Sequence, residues 1–177
     1  MEARGRSGLN GEMTTTAPLS AGSALILATG LGCALVAGVF FAFSSFVMKG
    51  LGELRAPEGV TAMQALNRAA PSPLFMTALF GTAALAIAAG VDAARHLDDP
   101  SARLVLAGGA LYLAGVALTV GYHVPRNDAL ARLAPSDPAA AAEWARYLTT
   151  WTRANHVRTV TSVGAAVAYV TALSIES

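Results

Sequence analysis

The residues best suited to chemistry fall in one stretch late in the chain. Trp144, Tyr147, Trp151, Asn155, Arg158 and Ser162 share one narrow face if the segment is an α-helix, because each residue turns a helix by about 100°. Aromatic rings, then an amide, then a guanidinium along one stripe form a wall for a flat ligand with polar edges. Arg158 is the sharpest of these residues. A cation at the edge of an apolar run is costly enough that it usually pairs or serves a site, the plain alternative being a side chain that snorkels to lipid headgroups. For Trp144 and Trp151 the alternative is an aromatic belt at a membrane interface. His156 points about 100° away from Asn155, toward another helix or the interface. His123 comes one turn after Thr119 and one turn before Asn127, with Pro125 loosening the backbone there. It is read as a site residue, against a solvated interfacial histidine. Gln64 and Asn67 lie three apart on one helical face and more often glue helices than touch a ligand. Ser44 and Ser45 close the first apolar run.

Several chemistries find no support. Metal sites need three or four convergent ligands, whereas His123, His156 and Asp128 are the only candidates in this region. There is no glycine-rich phosphate loop and no Gly-x-Ser-x-Gly elbow, and the single cysteine, Cys33, excludes an internal disulfide or a thiol-exchange pair. No metal or cofactor-binding residue is expected. The net charge of +1 comes without a run of basic residues, which argues against nucleic acid as a partner.

The elements that must hold these residues follow from composition. Hydrophobic residues make up 54% of the 177 and charged residues 13%, about half the charged share of a soluble domain, so most of the surface faces a lipid bilayer. No charge falls between Glu12 and Lys49, and three further runs (69–91, 104–125 and 159–175) are nearly free of charge. Each approaches the roughly 17 to 25 residues that cross a hydrocarbon core. The expected fold is all-α: a four-transmembrane-helix, up-and-down bundle with spans near 20–49, 72–95, 102–124 and 155–175. Residues 1–18 are expected to be a flexible N-terminal segment, and 19–177 a single domain. An amphipathic helical segment is expected in the first connection (59–70), a tight polar turn around Asp98, Asp99 and Pro100, and a helix over 138–156 leading into the last span. Small residues at packing intervals, Ala34, Gly38 and Ala42 in the first span and Gly108, Gly109 and Gly115 in the third, suggest close helix contacts.

This topology gathers the polar residues at one mouth of the bundle: Ser44, Gln64, Asn67, His123, Asn127, Trp151, Asn155, His156 and Arg158. The same side carries Lys49, Arg55, Arg68, Arg126, Arg132, Arg146, Arg153 and Arg158, against Arg4, Arg6, Arg95 and Arg103 opposite. The positive-inside rule then orients the mouth toward the cytoplasm of a protein in the cell (plasma) membrane.

The strings FFAFSSFVM (40–48), MQALNR (63–68), PSPLFM (71–76), YHVPRN (122–127) and WARYLTTWTRANHVRT (144–159) resemble the anthrone oxygenase-like family of small integral membrane proteins, over roughly residues 35–172. By that resemblance the family's Asn-x-x-Arg pair falls on Asn155 and Arg158, its Met-Gln-x-x-Asn element on Met63, Gln64 and Asn67, and its preceding tryptophan on Trp151. Relatives usually read Asn-Val-Pro-Leu-Asn where this chain has His123, Val124, Pro125, Arg126 and Asn127, so His123 and Arg126 are departures. The resemblance implies a cofactor-independent oxygenase with dioxygen as co-substrate and a lipophilic aromatic substrate, of the polyketide or another phenolic type. His123 would then be the general base, Arg158 with Asn155 and Asn127 the stabilisers of an oxyanion, and Trp151 a stacking wall. Gln64, Asn67, Ser44 and His156 complete the binding set, His156 being the reserve base. The alternative is a non-enzymatic membrane protein that binds a lipophilic small molecule or stabilises a membrane partner, such as a redox complex. Oligomeric state is left open.

Overall fold

The computed structural model describes residues 19–176. The 1–18 segment, with Arg4 and Arg6, lies outside the described residues. Four helices are long and apolar enough to cross a membrane: span 1 (Ala21–Gly52), span 2 (Pro73–Ala93), span 3 (Pro100–Ala131) and span 4 (Ala140–Ile175). A fifth, the connecting helix (Ala56–Ala69), lies between spans 1 and 2.

Helix starts are written into the sequence. Ser20 accepts the Ser23 amide at 3.0 Å, Ser72 accepts that of Phe75 at 3.3 Å, and Asp99 accepts that of Ser101 at 2.8 Å. Pro73 and Pro100 then occupy first-turn positions that need no amide hydrogen. The Ser101 amide, near a helix N-terminus, also holds the Asp99 carboxyl below its ordinary pKa.

Spans 1 and 3 both pack against span 4, and span 2 packs against spans 1 and 3, which closes the expected up-and-down ring. Lipid tails offer helices no hydrophobic reason to associate, so close fit must hold them. One half of the bundle is built for that fit. Ala83, Ala86, Ala89 and Ala93 of span 2 are buried beside Ala102 and Val105 of span 3, and Tyr112 of span 3 donates to the Leu79 carbonyl at 3.0 Å. The buried Tyr169 ring fills a notch where a Cβ on Gly108 would lie 3.1 Å from it. Gly108 and Gly109 thus make close contacts as expected. The Ala34, Gly38 and Ala42 face does not: Ala34 and Gly38 are exposed, and nothing lies within 4 Å of a Cβ on Gly38. Span 1 instead turns Gly30, Cys33 and Ala37 inward.

Two spans run longer than the charge pattern suggests. Span 3 continues past Pro125 to Ala131, because Pro125 falls in the first turn of renewed α-helix after a wide π-turn, Thr119–His123. The helix expected to lead into span 4 is continuous with it over Ala140–Glu176.

The connecting helix is amphipathic, with Val60 and Met63 buried in a second core made with Met48, Leu130, Trp144, Tyr147 and Trp151. Its closest approach is at Gly59, where a Cβ would sit 2.7 Å from the Trp144 indole. A Gly59→Ala change should therefore destabilise the protein by about 1–3 kcal/mol through overpacking. Gly38→Ala should be neutral or stabilising by up to about 1 kcal/mol, because it gains helix propensity in open space. Thermal unfolding of both variants in detergent checks the difference in sign.

Candidate functional site

At the other half of the bundle spans 1, 2 and 3 each carry one π-turn, at Phe43–Val47, Thr77–Gly81 and Thr119–His123. Such turns often sit at functional positions. Here all three contribute to the wall of one cavity of about 430 Å³, through Phe43, Leu79, Phe80, Thr119, Val120 and His123. Span 4 adds Trp151 and Arg158, and the connecting helix adds Met63 and Asn67. The wall is mostly apolar, as small-molecule sites usually are. Spans 2 and 3 pack on each other in their alanine-rich halves, while Phe80 of span 2 and Val120 and Val124 of span 3 line the cavity and remain 45–53% exposed on the bundle surface. Leu66, Ala69, Ala70 and Pro71, at the connection before span 2, are further exposed residues on the wall.

Arg158 is buried, at 5% exposure. One terminal nitrogen donates to Asn155 Oδ1 at 2.6 Å and the other to Thr119 Oγ1 at 3.2 Å. The guanidinium lies 4.2 Å from the Phe40 ring centre and 5.2 Å from that of Trp151, both within cation–π range. Among the described residues the ion pairs are Arg55–Glu58 and Arg146–Glu143, both exposed, so Arg158 has no carboxylate partner. Its Nε has no hydrogen-bond partner either.

His123 is likewise buried, at 1% exposure, with its ring edge-on to Trp151 at 4.9 Å. Its Nδ1 lies 3.2 Å from the Leu118 carbonyl, which can only accept, so Nδ1 carries the proton and the neutral ring holds its lone pair on Nε2. That Nε2 makes no close hydrogen bond, although the ring also interacts with the Trp151 backbone. Asn67 Nδ2 makes no close hydrogen bond either, the Tyr147 hydroxyl being the polar group it interacts with. His123, Arg158 and Asn67 thus line one cavity, and each carries a buried side-chain nitrogen that makes no close hydrogen bond.

Other polar residues are already committed. Asn155 is fully buried and donates to the Phe40 carbonyl at 2.7 Å and to Ser44 Oγ at 2.8 Å. With its oxygen taken by Arg158, it has no group left for a ligand and acts as a positioning residue. Ser44, bonded to Asn155 and to Thr159 at 3.0 Å, braces that clamp and is not on the cavity wall. Asn127 lines the cavity, but its oxygen accepts from Tyr147 at 2.8 Å and from the Trp151 indole at 2.9 Å, fixing the Trp151 plane. Gln64 donates to the Leu130 and Leu133 carbonyls, both at 2.9 Å, which ties the connecting helix to the end of span 3. His156 is exposed and lies off the Asn155 face, away from the cavity. The structure thus brings together His123, Arg158, Asn67, Asn127 and Trp151, and leaves Gln64, Ser44 and His156 outside. Phe40, Phe75, Met76 and Leu79, also on the wall, are apolar residues in apolar runs and carry no sequence signal of it.

The sequence model of the anthrone oxygenase family matches residues 64–168, more than half of the chain. No curated protein and no solved structure matches it.

Two measurements probe this geometry. Asn155→Ala should cost about 1–3 kcal/mol of stability, because it removes the shortest hydrogen bond to the buried Arg158 guanidinium, whereas His156→Ala should change stability by less than about 0.5 kcal/mol; detergent unfolding midpoints compare them. In a Trp144→Phe background Trp151 is the sole tryptophan, and lipids brominated on their acyl chains should quench its fluorescence more than aqueous iodide does. Stronger quenching by iodide would place the opening toward water.

Proposed function

The chain belongs to the anthrone oxygenase family, and from that membership and the cavity we propose that it is a membrane oxygenase oxidising a lipophilic aromatic substrate, of the anthrone or phenolic type, with dioxygen. The observation that carries this reading is that His123, Arg158, Asn67 and Trp151 line one largely apolar cavity, with Arg158 buried and unmatched by a carboxylate among the described residues. An apolar wall suits fused rings, and Trp151 offers a held plane beside both His123 and Arg158.

In this reading His123 Nε2 removes a proton from a ring methylene flanked by aryl groups and conjugated to a carbonyl. The carbanion is delocalised onto the carbonyl oxygen, and Arg158 and Asn67 donate to that developing oxyanion in a site where water is scarce. The electron-rich enolate carbon bonds to dioxygen, which is reduced to a peroxide, and protonated His123 returns the proton to the terminal oxygen. Loss of water, with cleavage of the O–O bond and removal of the second methylene hydrogen, leaves a carbonyl. One methylene and one dioxygen thus give one quinone carbonyl and one water. Dioxygen is the co-substrate, and the enolate itself supplies the electrons, so the reaction as written calls on no further cofactor.

The roles differ from a simple set of oxyanion donors. Asn155 acts by holding Arg158, and Asn127 by holding Trp151. Detergent-purified protein should consume dioxygen and form quinone over a panel of anthrones and hydroquinones. Arg158→Gln should lower kcat/KM by roughly 10² to 10³, and His123→Gln by roughly 10² to 10⁴. Folded protein that gives no uptake above the uncatalysed rate, yet shows saturable quenching of Trp151 by an anthrone, would replace this reading with a non-enzymatic carrier of lipophilic molecules.

A further inference from the structure

A second, larger hollow of about 590 Å³ lies between the end of span 3 and the first turns of span 4, apart from the cavity. Arg126, Arg132 and Arg146 line it, with Glu143 as its one carboxylate. Glu143 is occupied by Arg146. Arg126 and Arg132 form no ion pair among the described residues, so the groove holds two uncompensated guanidinium groups. Arg126 is also held in place. Its guanidinium lies 3.4 Å from the Tyr122 ring centre, and Tyr122 in turn donates to the Thr150 carbonyl at 3.3 Å, bridging span 3 to span 4. Stacking covers one face of the guanidinium and leaves its N–H edge free for an anion.

The depth of the groove points to the kind of anion. Arg126 is the first charge after the uncharged run of span 3, and Arg153 is the exposed charge closest to the apolar run of span 4. Arg146 lies seven residues beyond Arg153, about 10 Å along the helix, so the groove starts at the hydrocarbon boundary and spans the headgroup layer, roughly 5–8 Å deep. Its floor is apolar, formed by the buried Leu130 and half-buried Leu133. Basic pockets between membrane helices at this depth suit anionic headgroups.

We propose that this groove binds the phosphate of an anionic phospholipid, with Arg126 and Arg132 as its ligands and the Leu130–Leu133 floor beneath the start of the acyl chains. The proposal is independent of the oxygenase reading, because neither arginine lies on the cavity wall.

The test is titration of the full chain, purified in a neutral detergent, with dioctanoyl phosphatidylglycerol, dioctanoyl phosphatidylcholine and inorganic phosphate. Phosphatidylglycerol should bind saturably and at least about tenfold more tightly than phosphatidylcholine. The Arg126→Gln, Arg132→Gln double variant should weaken it by about tenfold or more. Arg132→Gln alone, at an exposed position, should retain the parent's unfolding temperature and show an intermediate loss, which keeps the test decisive if the double variant misfolds. Equal affinity for the two lipids, or undiminished binding in Arg132→Gln, overturns the proposal. Displacement of phosphatidylglycerol by an equal concentration of inorganic phosphate would overturn it too, since the groove would then be a site for free anions.

Discussion

The bundle is organised around a guanidinium that has no carboxylate. Even by insertion scales a charge at the centre of a membrane helix costs about 2.5–3.5 kcal/mol, so Arg158 must find substitutes for water. It finds them on three helices: Asn155 Oδ1 one turn away on span 4, Thr119 Oγ1 on span 3, and the Phe40 ring of span 1. Asn155 is itself anchored to the Phe40 carbonyl and Ser44. One cation therefore fixes the relative positions of spans 1, 3 and 4 where their apolar packing gives way to a cavity.

The π-turns are part of the same solution. Each lies beside a backbone carbonyl that a side chain engages. The Phe40 carbonyl, just before the first turn, receives Asn155; the Leu79 carbonyl, inside the second, receives Tyr112; and the Leu118 carbonyl, just before the third, faces His123 Nδ1. A widened turn shifts the helical ladder by one residue, and side chains inserted at these points hold it there. In the alanine-rich half, by contrast, small side chains let helices approach closely and leave only a hollow of about 70 Å³. The division between a sealed half and a hollow half thus follows from where the small residues stop.

Much of this was legible in the sequence, for physical reasons that also mark the limits. Runs without charge must lie in lipid, so four spans and their order could be read directly. A helical period placed Trp144, Tyr147, Trp151, Asn155, Arg158 and Ser162 on one face, and all six are buried. Period alone does not say which partner takes which atom, so Asn155 reads as a ligand donor although three bonds occupy its amide. His156 has the right chemistry in the wrong direction. The Ala34–Gly38–Ala42 pattern has packing spacing but faces outward, because spacing defines a stripe and not the neighbour it meets. The first two π-turns leave no pattern, since the side chains that engage their carbonyls lie tens of residues away; the Pro125 signal read as loosening is in fact a helix restarting after the third.

A buried cation without a counter-ion also bears on what the cavity selects. In a site of low dielectric, charge interactions strengthen, and the energetic gain from an anionic oxygen beside Arg158 is larger than it would be in water. In the proposed reading, a neutral hydrocarbon of the same shape would fill the apolar wall and leave the Arg158 charge unanswered, whereas a molecule that becomes an oxyanion beside it would be favoured. Recognition would then be weighted toward a form the ligand adopts only after losing a proton, with His123 on the same wall to accept it. The buried charge that is costly to fold is, in the proposed reading, the one that would favour the deprotonated state of whatever enters the cavity.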